Sequence, residues 1–390
     1  MKLLVISQFY PPDLGAVAFR MEAIVNEMKE RGHTVYVLAA TPNRYKEFNA
    51  SQDLITSEFE TRLHMKNTSK SIFSRILGFF EFYFKVLRTK KQYKNKSIDA
   101  VISTTPYILE GLAGQKISKY LHAKHVLDVR DLWPDTPIAL KKIKKNGIIS
   151  SLLKVIEKKL YKNADLIVVT SPGYVDHIKK IVKNAHPHVI LNGIDTNFEN
   201  DLQSISSKNI NEKNGKYTIL YAGNIGIAQN LITLVNAASK LDDSDYEFIL
   251  IGSGTQLEQV KTLIEEKDLK NITIVPPMKR SELLSHYVKS DVLYLQLHSS
   301  EYFNKVVPSK IFEYLLLQKP IIYGLEGVSK EILMSYEGTC YVQPDNIDEL
   351  VSAIKHINYS KKIHRDISSL RRKIQTQKYS KLIEKTVEEK

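Results

Sequence analysis

Tyr217-Thr218-Ile219-Leu220-Tyr221-Ala222-Gly223-Asn224-Ile225-Gly226 repeats, midway along the chain, what Lys2-Leu3-Leu4-Val5-Ile6-Ser7 and the turn up to Gly15 do at its start. Each is a short apolar run, then a glycine-bearing turn, then a helical pattern. An apolar run of that length between turn signals reads as a strand buried on both faces, the kind that builds parallel sheets. The restart divides the chain in two. Between the halves, residues 199–216 are polar and poor in large apolar groups, and read as a linker.

The same alternation extends outward from both starts. In the first half a helix over Val17–Arg31 stops at Gly32, and strands follow at Thr34–Ala39, Asp99–Ser103, Val126–Val129 and Asp165–Thr170. Leu152–Tyr161 reads as a helix, and Ser171-Pro172 as the start of another. In the second half, helices are expected at Ala228–Lys240, Thr255–Glu266, Ser281–Lys289 and Ser309–Leu317, with strands at Glu247–Ile251, Ile272–Val275, Val292–Leu295 and Ile321–Tyr323. Asp345 or Asn346 caps a helix over Ile347–Ile357. Strand–helix alternation of this kind predicts an α/β protein with two doubly wound, Rossmann-like domains, 1–200 and 201–360. A charged amphipathic helix over 361–390 is expected to cross back to the first. Ligands of such sheets bind outside the carboxyl ends of the strands, and with two domains the expected place is the cleft between them.

Composition sets the class. The 390 residues are 43% hydrophobic and 25% charged, with 16 Gly and 13 Pro, which excludes collagen-like and wholly disordered chains. A single cysteine, Cys340, excludes an internal disulfide framework and a cysteine-built zinc site. The apolar stretch at the N-terminus is too short and badly flanked for a signal peptide, and no apolar run approaches the ~18–20 residues that cross a bilayer. A cytoplasmic location is expected.

The net charge of +13 is lopsided: residues 1–200 carry +12 and residues 201–390 only +1. Residues 64–97 hold nine Lys/Arg against Glu81, and residues 141–162 hold eight Lys against Glu157. The first segment interleaves Arg75, Lys85 and Arg88 with Phe79, Phe80 and other large apolar groups. A basic, aromatic-rich helix is the pattern of a segment lying in an anionic membrane interface. A core helix with its apolar face turned inward has the same periodicity. Nucleic acid is not the expected partner, since no helix-turn-helix, zinc finger or RNA-binding motif is present.

Three stretches carry candidate chemistry. Phe9-Tyr10-Pro11-Pro12-Asp13-Leu14-Gly15-Ala16 follows the first strand, and Gly15 and Ala16 permit a ligand's phosphate or sugar to approach a helix start. A plain turn is the alternative, since neither a Gly-x-Gly-x-x-Gly nor a P-loop exists in the chain. Val307-Pro308-Ser309-Lys310-Ile311-Phe312-Glu313-Tyr314 opens a helix whose first-turn N–H groups and Lys310 suit a diphosphate, while Glu313, on the same face, can accept bonds from a ribose diol. A capping turn with a surface Lys–Glu pair explains the same residues. Asp128-Val129-Arg130-Asp131-Leu132-Trp133-Pro134-Asp135 ends a strand, where polar groups of a parallel sheet face ligands. Asp131 is the candidate base or hydroxyl anchor and Arg130 the candidate anion holder, against an Arg–Asp pair that merely fixes the loop.

Together these stretches resemble the retaining glycosyltransferases of family 4, whose two-Rossmann architecture is called GT-B. The likeness spans the whole chain and adds Leu191-Asn192-Gly193-Ile194-Asp195 and Gly252-Ser253-Gly254 to the motifs above. It is nearest to the fucosamine-transferase-like subgroup of O-antigen, colanic-acid and capsule synthesis. The resemblance implies a UDP-sugar donor on the second domain, with Glu313 on the ribose and the backbone near Met278 reading the base. It places Lys310 and Ser309 on the diphosphate, and Gly15 and Ala16 closing from the first domain. It sets Asp131 beside the reacting sugar or acceptor, and it implies retention with no metal cofactor. The implied acceptor is a polyprenyl-diphosphate-linked saccharide at the inner face of a bacterial membrane. The chain departs from the family pattern at three points. Lys305 stands where the first of two paired glutamates is usual, with Glu301 the nearest acid. Asn224 and Gln229 replace the usual Arg and Lys near Gly223, which shifts phosphate binding onto Lys310, Lys305 or Arg130. Arg130 itself replaces a frequent His. A UDP-sugar 2-epimerase of the same architecture and a non-catalytic sugar-nucleotide-binding protein are the competing expectations.

Overall fold

The computed structural model describes residues 1–13, 15–42, 58–66, 72–206 and 215–389. It resolves into two compact units, Met1–Asn192 with Arg372–Lys390, and Gly193–Arg371.

The first unit holds strands β1 (Lys2–Ser7), β2 (Thr34–Ala40), β3 (Glu60–Leu63), β4 (Ala100–Thr104), β5 (Lys124–Val129), β6 (Leu166–Val169) and β7 (His188–Val189). They form one parallel sheet in the order β3-β2-β1-β4-β5-β6-β7. Its helices are α1 (Ala16–Glu30), α2 (Ile72–Thr89), α3 (Ile108–Leu121), α4 (Asp135–Ala139), α5 (Ile148–Lys162) and α6 (Gly173–Ile181). The unbroken apolar run of β1 is explained by cover on both faces. Leu3 and Val5 pack with Met21, Ile24 and Val25 of α1, while Leu4 and Ile6 pack with Phe82 and Val86 of α2 and Ala113 and Ile117 of α3. All four β1 side chains are fully buried.

The second unit holds helix α7 (Thr196–Ser206) and then β8 (Tyr217–Asn224), α8 (Ile232–Ala238), β9 (Tyr246–Ser253), α9 (Leu257–Glu266), β10 (Ile272–Val275), α10 (Arg280–Lys289) and β11 (Val292–Gln296). It continues with α11 (Lys310–Leu316), β12 (Ile321–Gly324), α12 (Val328–Met334), β13 (Thr339–Tyr341) and α13 (Ile347–His356). Its parallel sheet runs β10-β9-β8-β11-β12-β13. Each sheet thus reverses its winding beside its first strand, between β1 and β4 and between β8 and β11. That is where doubly wound sheets open to ligands.

Boundaries differ from expectation where a side chain, rather than periodicity, decides. The expected break at 200/201 falls instead at Asn192/Gly193. Residues 199–206 of the expected linker belong instead to helix α7, which Asp195 starts: its Oδ1 accepts from Asn197 N at 2.8 Å and Phe198 N at 3.4 Å. Phe198 then packs edge-on to Tyr287 beneath the Arg280 guanidinium. Residues 207–214 of that expected linker lie outside the described residues. The expected helix over 361–390 begins only at Arg372, as α14 (Arg372–Glu388). Before it, the buried Arg365 guanidinium binds carbonyls of Glu337 at 2.7 Å and Lys319 at 2.8 Å, so residues up to Arg371 stay with the second unit. Helix α14 returns to the first unit, where Tyr379, Ile383 and Val387 join the core beside α1. Asn346, not Asp345, caps α13, accepting from Glu349 N at 3.1 Å. Helix α5 starts four residues ahead of its expected start, at Ile148.

Candidate active site

In the second unit the expected donor residues cluster after β8 and along α11. Tyr287 of α10 is fully buried, and its hydroxyl receives the Lys310 ammonium at 2.9 Å and lies 3.2 Å from Glu313 Oε2. Lys310 Nζ is 2.6 Å from the same Glu313 oxygen and lies over the Tyr287 ring. Burial works to discharge Lys310, but the Glu313 carboxylate and neighbouring Tyr314 outweigh it, so the ammonium is held above its ordinary pKa. The result is a fixed positive charge with Lys310 and Glu313 still partly open to solvent. Glu313, expected as a free acceptor for a ribose diol, thus has Oε2 already engaged. Helix α11 has only seven residues, so the cation contributes more than the helix dipole to any anion held here. Ser309 is the N-cap residue of α11 and makes no side-chain cap bond.

Glycines at the ends of β8 and β9 bring two backbones into contact. Gly223 pairs with Gly252, and a Cβ on Gly252 would fall 1.8 Å from the Gly223 carbonyl oxygen. Gly252 also takes φ of 153°, so no other residue fits. Asn224 donates to Gln229 Oε1 at 2.9 Å, and the two amides hold each other across the turn. Lys305 ends a short helical turn, Phe303–Lys305, and lies 3.4 Å from Glu301. Met278 is half-buried just beyond β10.

A further set in this unit was not expected from sequence. Gln296, buried at the end of β11, donates to the Asn230 carbonyl at 3.0 Å and to Asp345 Oδ1 at 3.2 Å. Asp345 also accepts from Asn230 Nδ2 at 2.7 Å and pairs with His298 Nδ1 at 2.6 Å. In sequence Asp345 looks like a helix cap, but Asn346 takes that place and Asp345, with a left-handed φ of 65°, turns its carboxylate to this set.

In the first unit the candidates gather at the carboxyl ends of β4 and β5. Asp128 is wholly buried and bound by Arg20 of α1, Nε to Oδ2, at 2.8 Å. Arg20 also donates to the Leu191 carbonyl at 3.1 Å and lies over the Tyr379 ring. Asp128 is therefore the anchor of α1, α14 and the loop after β7. Arg130 sits beside this pair with its Nη1 buried and without a hydrogen-bond partner among the described residues. Burial, with Arg20 nearby, pushes the Arg130 guanidinium down to about 10, against support from Asp128 and Asp131. Glu110, on the first turn of α3, is buried and accepts from Gln8 N at 3.1 Å, while its Oε2 has no partner among the described residues. Burial pushes its carboxyl well up, opposed by the Gln8 N–H and Arg130. Sequence reasoning missed Glu110, since an acid on the first turn of a helix is ordinary. The available signal was its place in the first turn of the helix that follows β4. Asp131 lines a small cleft with Trp133, Glu157 and Tyr161. Trp133 is half-buried and donates to the Pro106 carbonyl at 3.1 Å. Gly15, with φ of 136°, is the N-cap residue of α1, and Ala16 opens the helix.

The expected membrane-facing residues divide. Phe80 is 46% exposed and Arg88 is exposed on α2. Phe79 instead turns in and stacks on Tyr107, ring centroids 3.6 Å apart. Lys85 is tied to Glu81 at 2.8 Å and to the His64 carbonyl. Arg75 lies on α2, but its side chain is outside the described atoms. The outward apolar face is carried by Ile76, Leu77, Phe80 and Phe84. No helix among the described residues is long and apolar enough to cross a membrane.

Two parallel sheets with this winding, each with polar groups collected at its switch point, make a two-domain Rossmann-like protein, and two family models bear on its class. Residues 17–198 match Glycosyltransferase Family 4, and residues 203–374 match Glycosyl transferases group 1. The chain belongs to the glycosyltransferases. Among its relatives is the Escherichia coli (strain K12) protein WcaI, named for colanic acid biosynthesis and glycosyl transfer, 21% identical with 91% of each chain covered. Among solved structures, sucrose-phosphate synthase from Thermosynechococcus elongatus superposes with a TM-score of 0.78 at 14% identity, covering 100% of both chains. Anabaena Alr3699/HepE, solved with UDP and glucose, gives 0.66 at 14% identity, again over 100% of both. The architecture is GT-B.

Proposed function

We propose that the chain is a retaining, metal-independent glycosyltransferase. It moves an N-acetylated deoxyhexosamine, N-acetylfucosamine in the sharpest form of the reading, from a UDP-sugar to a polyprenyl-diphosphate-linked saccharide. The setting is surface-polysaccharide synthesis at the inner face of a bacterial membrane. The observation that carries the donor half is the Lys310 ammonium, kept charged by Glu313 and bound to the Tyr287 hydroxyl, in the domain matched by the group 1 model. The HepE complex with UDP supports the choice of nucleotide, and the colanic-acid relative supports the pathway class.

In this reading the bond from the anomeric carbon to the diphosphate breaks, and a bond to the acceptor hydroxyl oxygen forms on the same face. The hydroxyl proton passes to the leaving phosphate. Lys310 stabilises the charge that develops on that phosphate, a role worth about 10²–10³ in rate at comparable sites. Glu313, already oriented by Lys310 and Tyr287, offers its remaining oxygen to the ribose. Asp131 orients the acceptor hydroxyl, and Arg130 holds an anionic or strongly polar group of the reacting partners. The outward apolar and basic groups of α2 hold the enzyme to the anionic surface that carries the acceptor.

A UDP-release assay over a panel of UDP-N-acetyl sugars tests this, with polyprenyl-diphosphate-GlcNAc in detergent as acceptor and EDTA in a parallel series. Acceptor-dependent release that survives EDTA and is abolished in Glu313→Ala and Asp131→Ala is expected. Interconversion of the sugar without acceptor would move the chain to the epimerases. Tight UDP binding without turnover of any donor would make it a sugar-nucleotide-binding protein.

A further inference from the structure

Helix α5 has two apolar faces, and protein covers only one of them. Ser150, Glu157, Leu160 and Tyr161 are buried against the domain. On the opposite side Ile148 is 90% exposed, Ile149 61%, Leu152 60% and Val155 66%. Among the described residues only Met334 is a comparably bare large apolar side chain. The spacing 148, 149, 152, 155 is one continuous helical stripe. A stripe of this size left in water marks an interaction site. The entry to the helix is fixed. Gly147 N donates to Ser150 Oγ at 3.1 Å, and that hydroxyl lies 2.8 Å from the carbonyl oxygens of both Lys145 and Gly147. The tip is thereby held in its outward position.

Charge identifies what covers it. Lys141, Lys142, Lys144, Lys145, Lys154, Lys158, Lys159 and Lys162 are all exposed around the stripe. The single acid of the segment, Glu157, is buried and bound to His177 at 2.9 Å and Tyr161 at 3.1 Å, so it offers nothing to the surface. A second copy of this face would set lysine against lysine, which a two-fold interface cannot relieve. Nucleic acid would use the lysines but not the isoleucines. An anionic lipid surface uses both, taking apolar side chains into the acyl boundary and lysines onto the headgroups.

We propose that the first half of α5, with the lysine-rich turn before it, is an insertion element for anionic membranes, separate from α2. Helix α3 packs against both α2 and α5, so the two elements stand on the same side of the first unit's sheet. The inference extends the membrane part of the proposed function but needs neither donor nor acceptor. It is tested with the full chain on phosphatidylcholine vesicles with and without phosphatidylglycerol. Co-flotation with the anionic vesicles is expected to fall at least about tenfold in Ile149→Asp/Leu152→Asp, a change of two apolar anchors, and comparably in Lys144→Glu/Lys145→Glu. Met334→Asp, in the second unit, is expected to float like wild type. Leu152→Trp is expected to show a blue-shifted emission with anionic vesicles only. Unchanged flotation of both double variants, or no shift in the Trp variant, would overturn the proposal. So would a dimer in sedimentation that Ile149→Asp/Leu152→Asp dissociates, since the stripe would then be a self-interface. UDP release with a water-soluble acceptor separates the two readings: its absence in wild type would count against the transferase while leaving vesicle binding to be judged by itself.

Discussion

The ends of β5 and of β11 occupy equivalent halves of two similarly wound sheets, yet they treat their polar groups differently. At β11 the groups interlock: Gln296, Asn230, His298 and Asp345 share bonds of 2.6–3.2 Å, and Lys310, Glu313 and Tyr287 close a second set nearby in sequence. At β5 one buried pair forms, Arg20 Nε to Asp128 Oδ2 at 2.8 Å, with Arg20 Nη2 and Asp128 Oδ1 left without hydrogen-bond partners among the described residues. Arg130 Nη1 and Glu110 Oε2 stay buried without hydrogen-bond partners among the described residues. A satisfied network is rigid and suits an invariant ligand part such as a nucleotide diphosphate. Buried groups left unsatisfied carry a desolvation cost that a ligand's own polar groups can relieve. The contrast fits the proposed reading, in which the constant part of the substrates is held by the second unit and the variable part by the first.

The sharpest break of that contrast is Asp128→Ala. It removes one partner of a fully buried ion pair and leaves Arg20 uncompensated, an event that costs about 3–5 kcal/mol. Urea denaturation should show the loss in the first unit's transition, and Arg20→Met/Asp128→Leu should recover most of it. If the single change cost less than about 1 kcal/mol, Asp128 would not be the anchor described.

Next in size is Lys310→Met. Turnover is expected to fall about 10²–10³-fold, or ~3–4 kcal/mol in the barrier, with little change in melting temperature because Lys310 is partly open to solvent. Single-turnover UDP release measures it. A drop confined to the Michaelis constant would make Lys310 a binding group that does not act on the leaving phosphate.

Glu110→Gln is a smaller test and has a sign. Burial raises the folded-state carboxyl well above its ordinary 4.5. An acid whose folded pKa is raised loses stability as pH rises through and above its unfolded pKa. The Gln variant, which cannot ionise and still accepts from Gln8 N, should therefore be more stable than wild type at neutral pH and equal to it at about pH 4. Thermal melts across that range decide it. Equal stability at all pH would mean that Arg130 fully offsets the burial.

Much of this is legible in the sequence. The apolar runs Leu3–Ile6 and Ile219–Tyr221 announce strands covered on both faces, and the glycine turns after them locate the switch points. What stayed hidden depended on long-range partners. Asp128 read as one of three site carboxylates until Arg20, 108 residues away, claimed it. Phe79 and Phe80 are adjacent in an aromatic run, and only the position of Tyr107 tells which one faces in. The α5 stripe was hidden for a related reason. Periodicity reports that a helix has an apolar face, not whether protein covers it. Lys310 and Glu313 were visible at i, i+3 spacing, but Tyr287, which completes their geometry, comes from another helix.

The smallest expected effect sharpens the comparison within the first unit, where α1 makes a second Arg–carboxylate contact at the surface. Arg31 Nε meets Glu384 Oε1 of α14 at 2.8 Å, and His33 Nε2 meets the same oxygen at 2.8 Å. The hydrogen bond from Arg31, helped by His33 and opposed by partial burial, holds the Glu384 carboxyl at about 2. A depressed folded-state pKa contributes stability that is complete above the unfolded value near 4.5 and disappears as pH falls toward 2. Water still reaches both partners, so the contribution is about 1 kcal/mol, well below that of the buried pair. Glu384→Gln should therefore lower stability by about that amount at pH 7, and by almost nothing near pH 2. Raised salt should shrink the difference at pH 7, because exposed charges are screened while Arg20–Asp128 is shielded from ions. A salt-independent loss at Glu384 would show that α14 is held there by packing rather than charge, and the division between a buried anchor and a screened surface clasp would fail.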